Sequence, residues 1–365
     1  MAISSIASPT SSVRFGFGRA DITPPVGTYH RLWGAARHDR STGVHRPILG
    51  DVLVFGPTAT RGSGESTCPG LIRAHLDLPG LVNVQHNRLV NALARGGGLP
   101  ADRVDLAYSH THAAGWFTPD RRQMPGGEYI DPYLDSVESA LEATSQQAAA
   151  RMCEATITYA RGRCGLAANR DLWDDDREIY VCGTNPSDAA DDTVVVARVV
   201  DEAGDLIATV VNYACHPTTL AWENTLISPD YAGAMREEVE RATGAPCSFA
   251  LGACGDLGPQ EGFVVDVEIA DRNGRQLGFA ALEALTGMGP PCTDLVYGGP
   301  VVSGATLGAW SRRPLAPDRN ESAARFAGGV SHVDLPFREG LERTSLESEL
   351  ESWLEKECGA DASGD

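Results

Sequence analysis

Val104-Asp105-Leu106-Ala107-Tyr108-Ser109-His110-Thr111-His112 is the stretch on which the fold turns. Val104, Leu106, Tyr108, His110 and His112 share one parity, and strand residues two apart point to the same face. The pattern predicts a strand whose apolar face ends in two imidazoles, closed by Ala113-Ala114-Gly115. Two neutral imidazoles at a strand end suit a divalent metal. The plainer alternative is a pair of surface histidines or one satisfied core histidine. A third histidine, His216, ends a second apolar run from Leu206 to Tyr213 and favours the metal.

Outward from this strand the pattern alternates. Leu71 to Leu76 reads as a short strand ending at Asp77. His86 to Arg95 carries Leu89, Val90 and Leu93 at helical spacing, and Gly96-Gly97-Gly98 ends it. Strand, helix, strand implies a parallel pair. Further strands are expected over 15–20, 51–55, 155–159, 247–251 and 296–307, and 58–69 reads as a surface turn. Val-rich runs over 193–201 and 206–213 form a hairpin through Glu202-Ala203-Gly204-Asp205. Helices are expected over 129–151, 231–243, 268–285 and 339–357. The fold class is α/β of mixed α+β type, with mixed β-sheets covered by helices. One domain is expected over 14–335, after a disordered 1–13 and before an amphipathic helix and frayed tail over 336–365.

Composition removes several functions. The 365-residue chain has a formal charge of -19, which repels phosphate backbones, so no nucleic-acid partner is expected. Lys356 is the only lysine, and the chain lacks H-E-x-x-H and G-x-S-x-G. Schiff-base, carbamylated-lysine, zincin and serine-elbow chemistries are thereby set aside. Nine cysteines without C-x-x-C argue against a zinc ribbon or disulfide scaffold. No apolar run reaches the length of a membrane-spanning helix, and no signal peptide is read, so the expected location is cytoplasmic.

At strand ends the chain places Asp77, His110, His112, His216 and Asp256. Such ends carry ligands in open α/β sheets, so a catalytic metal that activates water is the functional expectation.

Five ordered blocks resemble the neutral/alkaline non-lysosomal ceramidase family, N-terminal domain. They are Arg19-Ala20-Asp21-Ile22-Thr23-Pro24-Pro25-Val26-Gly27; Gly43-Val44-His45-Arg46-Pro47-Ile48; Ser109-His110-Thr111-His112-Ala113-Ala114-Gly115; Asn212-Tyr213-Ala214-Cys215-His216-Pro217-Thr218; and Gly252-Ala253-Cys254-Gly255-Asp256. The resemblance implies a zinc hydrolase that cleaves the amide of N-acylated sphingoid bases. It implies Zn2+ on His110 and His216, with His112 as a polar or proton-handling neighbour. Arg170 would steady the oxyanion or the substrate. The partner would be a small-molecule or lipid-like N-acyl substrate, and the oligomeric state is open.

The chain departs from the family pattern at three places. Gly258 stands where the family block carries a catalytic serine. The family's glutamate and tyrosine zinc ligands belong to a later segment, which this chain is expected to lack; Asp77, Asp230 and Glu261 are the candidate substitutes. Arg46 and Asp51 stand in place of an expected Asp/Arg pair. The alternatives are therefore a catalytically impaired or truncated relative, and a metal hydrolase of a different ester or lactone.

Overall fold

The computed structural model describes residues 5–58, 69–329, 333–336 and 342–361, with side chains described only to 352 in the last stretch. Residues up to Gly329 form one compact unit, and Val330–Asp365 a second.

The first unit is built on one eight-stranded sheet. Its strands in chain order are β1 (Thr10–Asp21), β2 (Leu49–Gly56), β3 (Leu71–Leu76), β4 (Val104–Tyr108), β5 (Cys153–Arg163), β6 (Thr193–Asp201), β7 (Leu206–Tyr213) and β8 (Cys247–Leu251). In space they run β8-β7-β6-β5-β1-β2-β3-β4. Two pairs at the margins, β3–β4 and β7–β8, are parallel, and the rest are antiparallel. Parallel neighbours need a crossover. Helix α1 (Asn83–Gly97) supplies one and α3 (Tyr231–Thr243) the other.

Strand alternation sorts the core into an outer and an inner face. Val52, Val54, Ile72, Ala74 and Leu76 pack outward against α1 and α2 (Ile130–Ala150). Val194, Val196, Val211 and Tyr213 pack outward against α3 and α4 (Val267–Thr286). Phe15, Leu53, Ile157 and Ala208 point inward and form a third cluster. Each buried Val, Leu, Ile or Phe among these contributes about 1.5–3 kcal/mol. The sheet folds back on itself so that its margins meet: His75 Nδ1 on β3 lies 2.9 Å from Ser248 Oγ on β8. The first unit is thus layered helix, sheet, sheet, helix.

Close approach sets two glycines. At Gly16 a Cβ would collide with the Ala148 carbonyl, so its absence lets α2 settle on β1. At Gly274 a Cβ would strike the Tyr231 carbonyl, so α4 can press on α3 at that helix's N-terminus.

Two expectations meet a different outcome. Residues 10–13, read as disordered, are the start of β1 and pair with Thr158–Ala155, while Ser5–Ile6 pair with Val296 and Leu295. Polar Thr10, Ser11 and Ser12 hide a strand held by its ladder bonds, with Val13 buried in the inner cluster. The run 296–307, read as one strand, is a hairpin of Thr293–Ser303 and Ala305–Pro314 turning at Gly304, φ 74°. The turn expected over 58–69 lies mostly outside the described residues. Among the described residues no helix is long and apolar enough to cross a membrane.

Candidate metal centre

The strand β4 stops at Tyr108, so His110 and His112 are loop residues. His110 sits at φ 64°, in the left-handed region that an L side chain occupies at a cost. Ser109 N–H donates to Leu76 O (2.8 Å) and His110 N–H to Leu78 O (2.9 Å), which ties the loop to the end of β3. The loop after β7 then interlocks with it. Thr111 Oγ1 donates to Ser228 O (2.8 Å), Ser228 N–H to Ala113 O (2.8 Å) and His112 N–H to Pro217 O (3.4 Å). His216 N–H is fixed on Leu257 O (3.0 Å).

These bonds gather three imidazoles. Ring centroids lie 4.6 Å apart for His110–His216, 4.9 Å for His110–His112 and 5.1 Å for His112–His216. One nitrogen from each falls within 4.8 Å of the others. The two histidines expected to bind metal are therefore together, and His112 is in the same cluster.

The hydrogen bonds select tautomers. His110 Nδ1 faces the Pro79 carbonyl and His216 Nδ1 the Cys254 carbonyl (3.3 Å). A carbonyl only accepts, so both Nδ1 atoms carry the proton and both Nε2 atoms keep a lone pair. That is the second-sphere arrangement of metal-bound histidine. His216 Nε2 lies 3.2 Å from His112 Nε2, and His112 Nδ1 is buried without a partner. Burial, then the neighbouring imidazoles and Arg170, lower the His112 pKa to about 3. Burial, then Arg170 and His110, lower that of His216 to about 4 against the Cys254 carbonyl. Both rings are neutral near pH 7, the state in which imidazole ligates. Three imidazoles are a donor set that zinc accepts with a position left open, so the residues fit the ion.

Arg170 lies between Ala167–Asn169 and Asp171–Asp174. Its backbone N–H donates to Asp256 O (2.9 Å) and its Nε to Gly255 O (3.0 Å). Its charge is among those that depress His112 and His216. Gly258 is next to it: a Cβ added there would lie 3.7 Å from Arg170 Cδ and 4.0 Å from Thr218 Oγ1, ordinary contact distances.

The carboxylates proposed as further ligands are engaged elsewhere. Asp77 is clamped by Arg236 at 2.5 and 3.0 Å. Asp230 accepts from Leu220 N–H (2.9 Å) and Tyr231 N–H (2.7 Å) and caps α3. Glu261 is paired with Arg272. Arg46 and Asp51 do not pair with each other. Arg46 holds Asp271 at 2.7 Å, and Asp51 binds Arg19 at 2.6 Å.

Sequence reasoning missed the aromatic wall. Trp33 lies 5.0 Å from His112, 5.8 Å from Phe263 and 6.2 Å from Trp222, centroid to centroid. Phe263 has φ 58°. The three come from separate loops and share no periodicity; only the surplus of aromatics in Gly- and Pro-rich segments could have marked them. His30 was missed too. It binds Ala113 O (3.1 Å) and His38 Nε2 (2.9 Å), bracing the metal loop.

No family model matches the chain. Over 255 residues, 67% of the chain and 37% of the relative, it is 24% identical to neutral ceramidase of Pseudomonas aeruginosa. Its fold is similar to a crystal structure of neutral ceramidase from Pseudomonas aeruginosa, with a TM-score of 0.61 and 21% identity over 78% of this chain and 46% of that one. A ceramidase complexed with C2 gives a TM-score of 0.60 and 21% identity, covering 78% and 45%. The chain therefore spans less than half the length of these relatives. In sequence and in fold alike, it is neutral-ceramidase-like.

Proposed function

We propose that the chain is a ceramidase-like, zinc-dependent hydrolase of an N-acyl amide or a related ester. The observation that carries this reading is the imidazole cluster, with its tautomers set by backbone carbonyls and without a carboxylate bonded to it among the described residues. His110 and His216 hold the ion, and His112 stands beside them as a third donor. When bound, zinc supplies a Lewis acid and a water acidic enough to serve as nucleophile near pH 7.

The remaining roles fall to the chain's own side chains. Arg170 is near enough for its charge to act on His112 and His216, and with its Nε committed to Gly255 O its terminal nitrogens are left to steady a substrate carbonyl oxygen as it gains negative charge. Trp33, Trp222 and Phe263 offer an apolar surface beside His112 on which an acyl chain can lie, away from water. Gly258 offers no hydroxyl, which favours one further reading: a substrate with a better leaving group than an amide, such as a different ester or lactone.

Metal analysis of the purified protein tests the first claim. About one zinc per chain is expected, lost in His110→Ala and His216→Ala. Zinc held equally well by both variants would refute the assignment. A panel of chromogenic N-acyl amides, esters and lactones then separates the substrates. Zinc-dependent ester turnover without amide turnover would select the second reading, and no turnover of any of them by the zinc-loaded protein would leave a catalytically impaired relative.

A further inference from the structure

A histidine outside the imidazole cluster reaches it through one serine. Gly43–Val44 pair in parallel with Leu226–Ile227, and His45 N–H donates to Ile227 O (2.8 Å). That register sets the His45 side chain, 9% exposed, between two partners. Its Nδ1 lies 2.9 Å from Ser228 Oγ and its Nε2 3.2 Å from Asp271 Oδ1. Arg46 holds the same carboxylate through Nε (3.0 Å) and a terminal nitrogen (2.7 Å), so Asp271 is fixed where α4 presents it.

The order of these groups fixes the direction of each bond. A carboxylate accepts, so His45 Nε2 carries a proton. Burial lowers the His45 pKa from its ordinary value, so the ring is neutral near pH 7 and Nδ1 keeps a lone pair. Ser228 Oγ–H therefore donates to Nδ1, and the same oxygen accepts from Asp230 N–H (3.0 Å). Serine, histidine and aspartate in this order are the parts of a nucleophilic triad. Here the serine is fully buried, so no acyl group reaches its hydroxyl, and the chain of bonds ends on backbone instead.

Ser228 is the joint between the two loops that carry the imidazoles. Its N–H donates to Ala113 O and its carbonyl accepts from Thr111 Oγ1, the two residues that flank His112. Each loop also holds a non-glycine residue at positive φ, His110 at 64° and Asp230 at 56°. Such conformations persist where the surroundings over-determine them, and His45 brings a third segment to the joint. We propose that His45 is a positioning residue of the metal centre: by fixing Ser228 it holds Thr111 and Ala113, and with them the His112 ring, at the observed spacing. The role rests on the cluster binding zinc as proposed above.

Zinc titration of the metal-free full chain, in competition with a chromogenic chelator, tests it. His45→Phe and Ser228→Ala are each expected to weaken zinc about tenfold, the lower end of what outer partners of metal ligands contribute. Because both remove the same contact, the double variant should bind no more weakly than either single one. The visible bands of the Co2+-loaded chain, which report ligand geometry, should shift in both. Ile157→Val, a buried change in the inner cluster, should leave affinity and bands alone. Wild-type affinity in both single variants, losses that multiply in the double variant, or an equal loss in Ile157→Val would overturn the positioning role and leave the metal centre standing. A wild-type chain that takes up no zinc would remove the centre, and the role with it.

Discussion

Two groups of ionisable side chains meet the end of β3, and they dispose of their charge in opposite ways. In one, Arg236 of α3 grips Asp77 with both sides of its guanidinium, and each side chain is almost fully buried. Arg19 extends the pattern with Asp51, Glu240 and the Cys247 carbonyl. In the other, two residues further along, His110 is held by Pro79 O beside His112 and His216, and no carboxylate joins them among the described residues. The first group satisfies itself and is a clamp between helix and sheet. The second keeps its lone pairs for something else. Burial alone therefore does not mark function; unspent donor capacity does.

The largest expected effect lies in the clamp. Arg236→Met leaves Asp77 as an uncompensated buried charge and should cost about 3–5 kcal/mol in urea unfolding, with zinc content of the folded protein unchanged. The double variant Arg236→Met, Asp77→Leu should regain much of that loss, since removing both charges removes the penalty. A single variant as stable as wild type would show that the pair is not a clamp.

Acid comes next. Burial, then Arg73, lowers the His75 pKa to about 4, from an ordinary value near 6.5. The unfolded chain takes up a proton there before the native one does. Stability from this site is full above pH 6.5 and declines as pH falls toward 4, by up to about 3 kcal/mol. His75→Phe should flatten the stability difference between pH 7.5 and 4.5. An unchanged slope would place the acid sensitivity elsewhere.

The histidine cluster should respond in the other sense. His110→Gly removes a metal donor and also the positive-φ strain, so the metal-free variant should unfold within about 1 kcal/mol of metal-free wild type. Zinc retention should be lost. A large loss of stability without zinc would mean that His110 is a packing residue first.

How much of this was legible depends on the range of the signal. The hairpin of β6 and β7, the helix Tyr231–Thr243 and the strand Cys247–Leu251 match their sequence reading residue for residue, because alternation and helical spacing are local. The parallel β3–β4 pair followed from the helix between them. His110 and His216 were found through residues bordering strands, yet the alternation argument for His112 holds only to Tyr108; the left-handed turn at His110, not strand parity, brings the imidazoles together. Asp77 and Glu261 were offered as candidate ligands because the approach of their partners Arg236 and Arg272 is encoded by no local pattern, whereas Asp230 sits at the N-cap of the helix Tyr231–Thr243, a local position that could have marked it as engaged. The closure of the sheet was invisible for the same reason: it shows only where His75 of β3 meets Ser248 of β8.

Gly258 gives the smallest structural effect and bears most directly on chemistry. It pairs with Ala168 in a short antiparallel ladder, and its φ is not in the glycine-only region, so a side chain costs no backbone strain. A serine Cβ would sit 3.7 Å from Arg170 Cδ, and its hydroxyl would enter the small cavity that Arg170 and Gly258 line together. Gly258→Ser should therefore change stability by no more than about 0.5 kcal/mol and leave zinc content alone. If the imidazole cluster is a hydrolytic centre that lacks only a hydroxyl, turnover of N-acyl amides should rise relative to esters. If the serine variant hydrolyses amides no faster than wild type while still binding zinc, the glycine is suited to another substrate, and the two clusters differ in metal binding without amide cleavage being the reason.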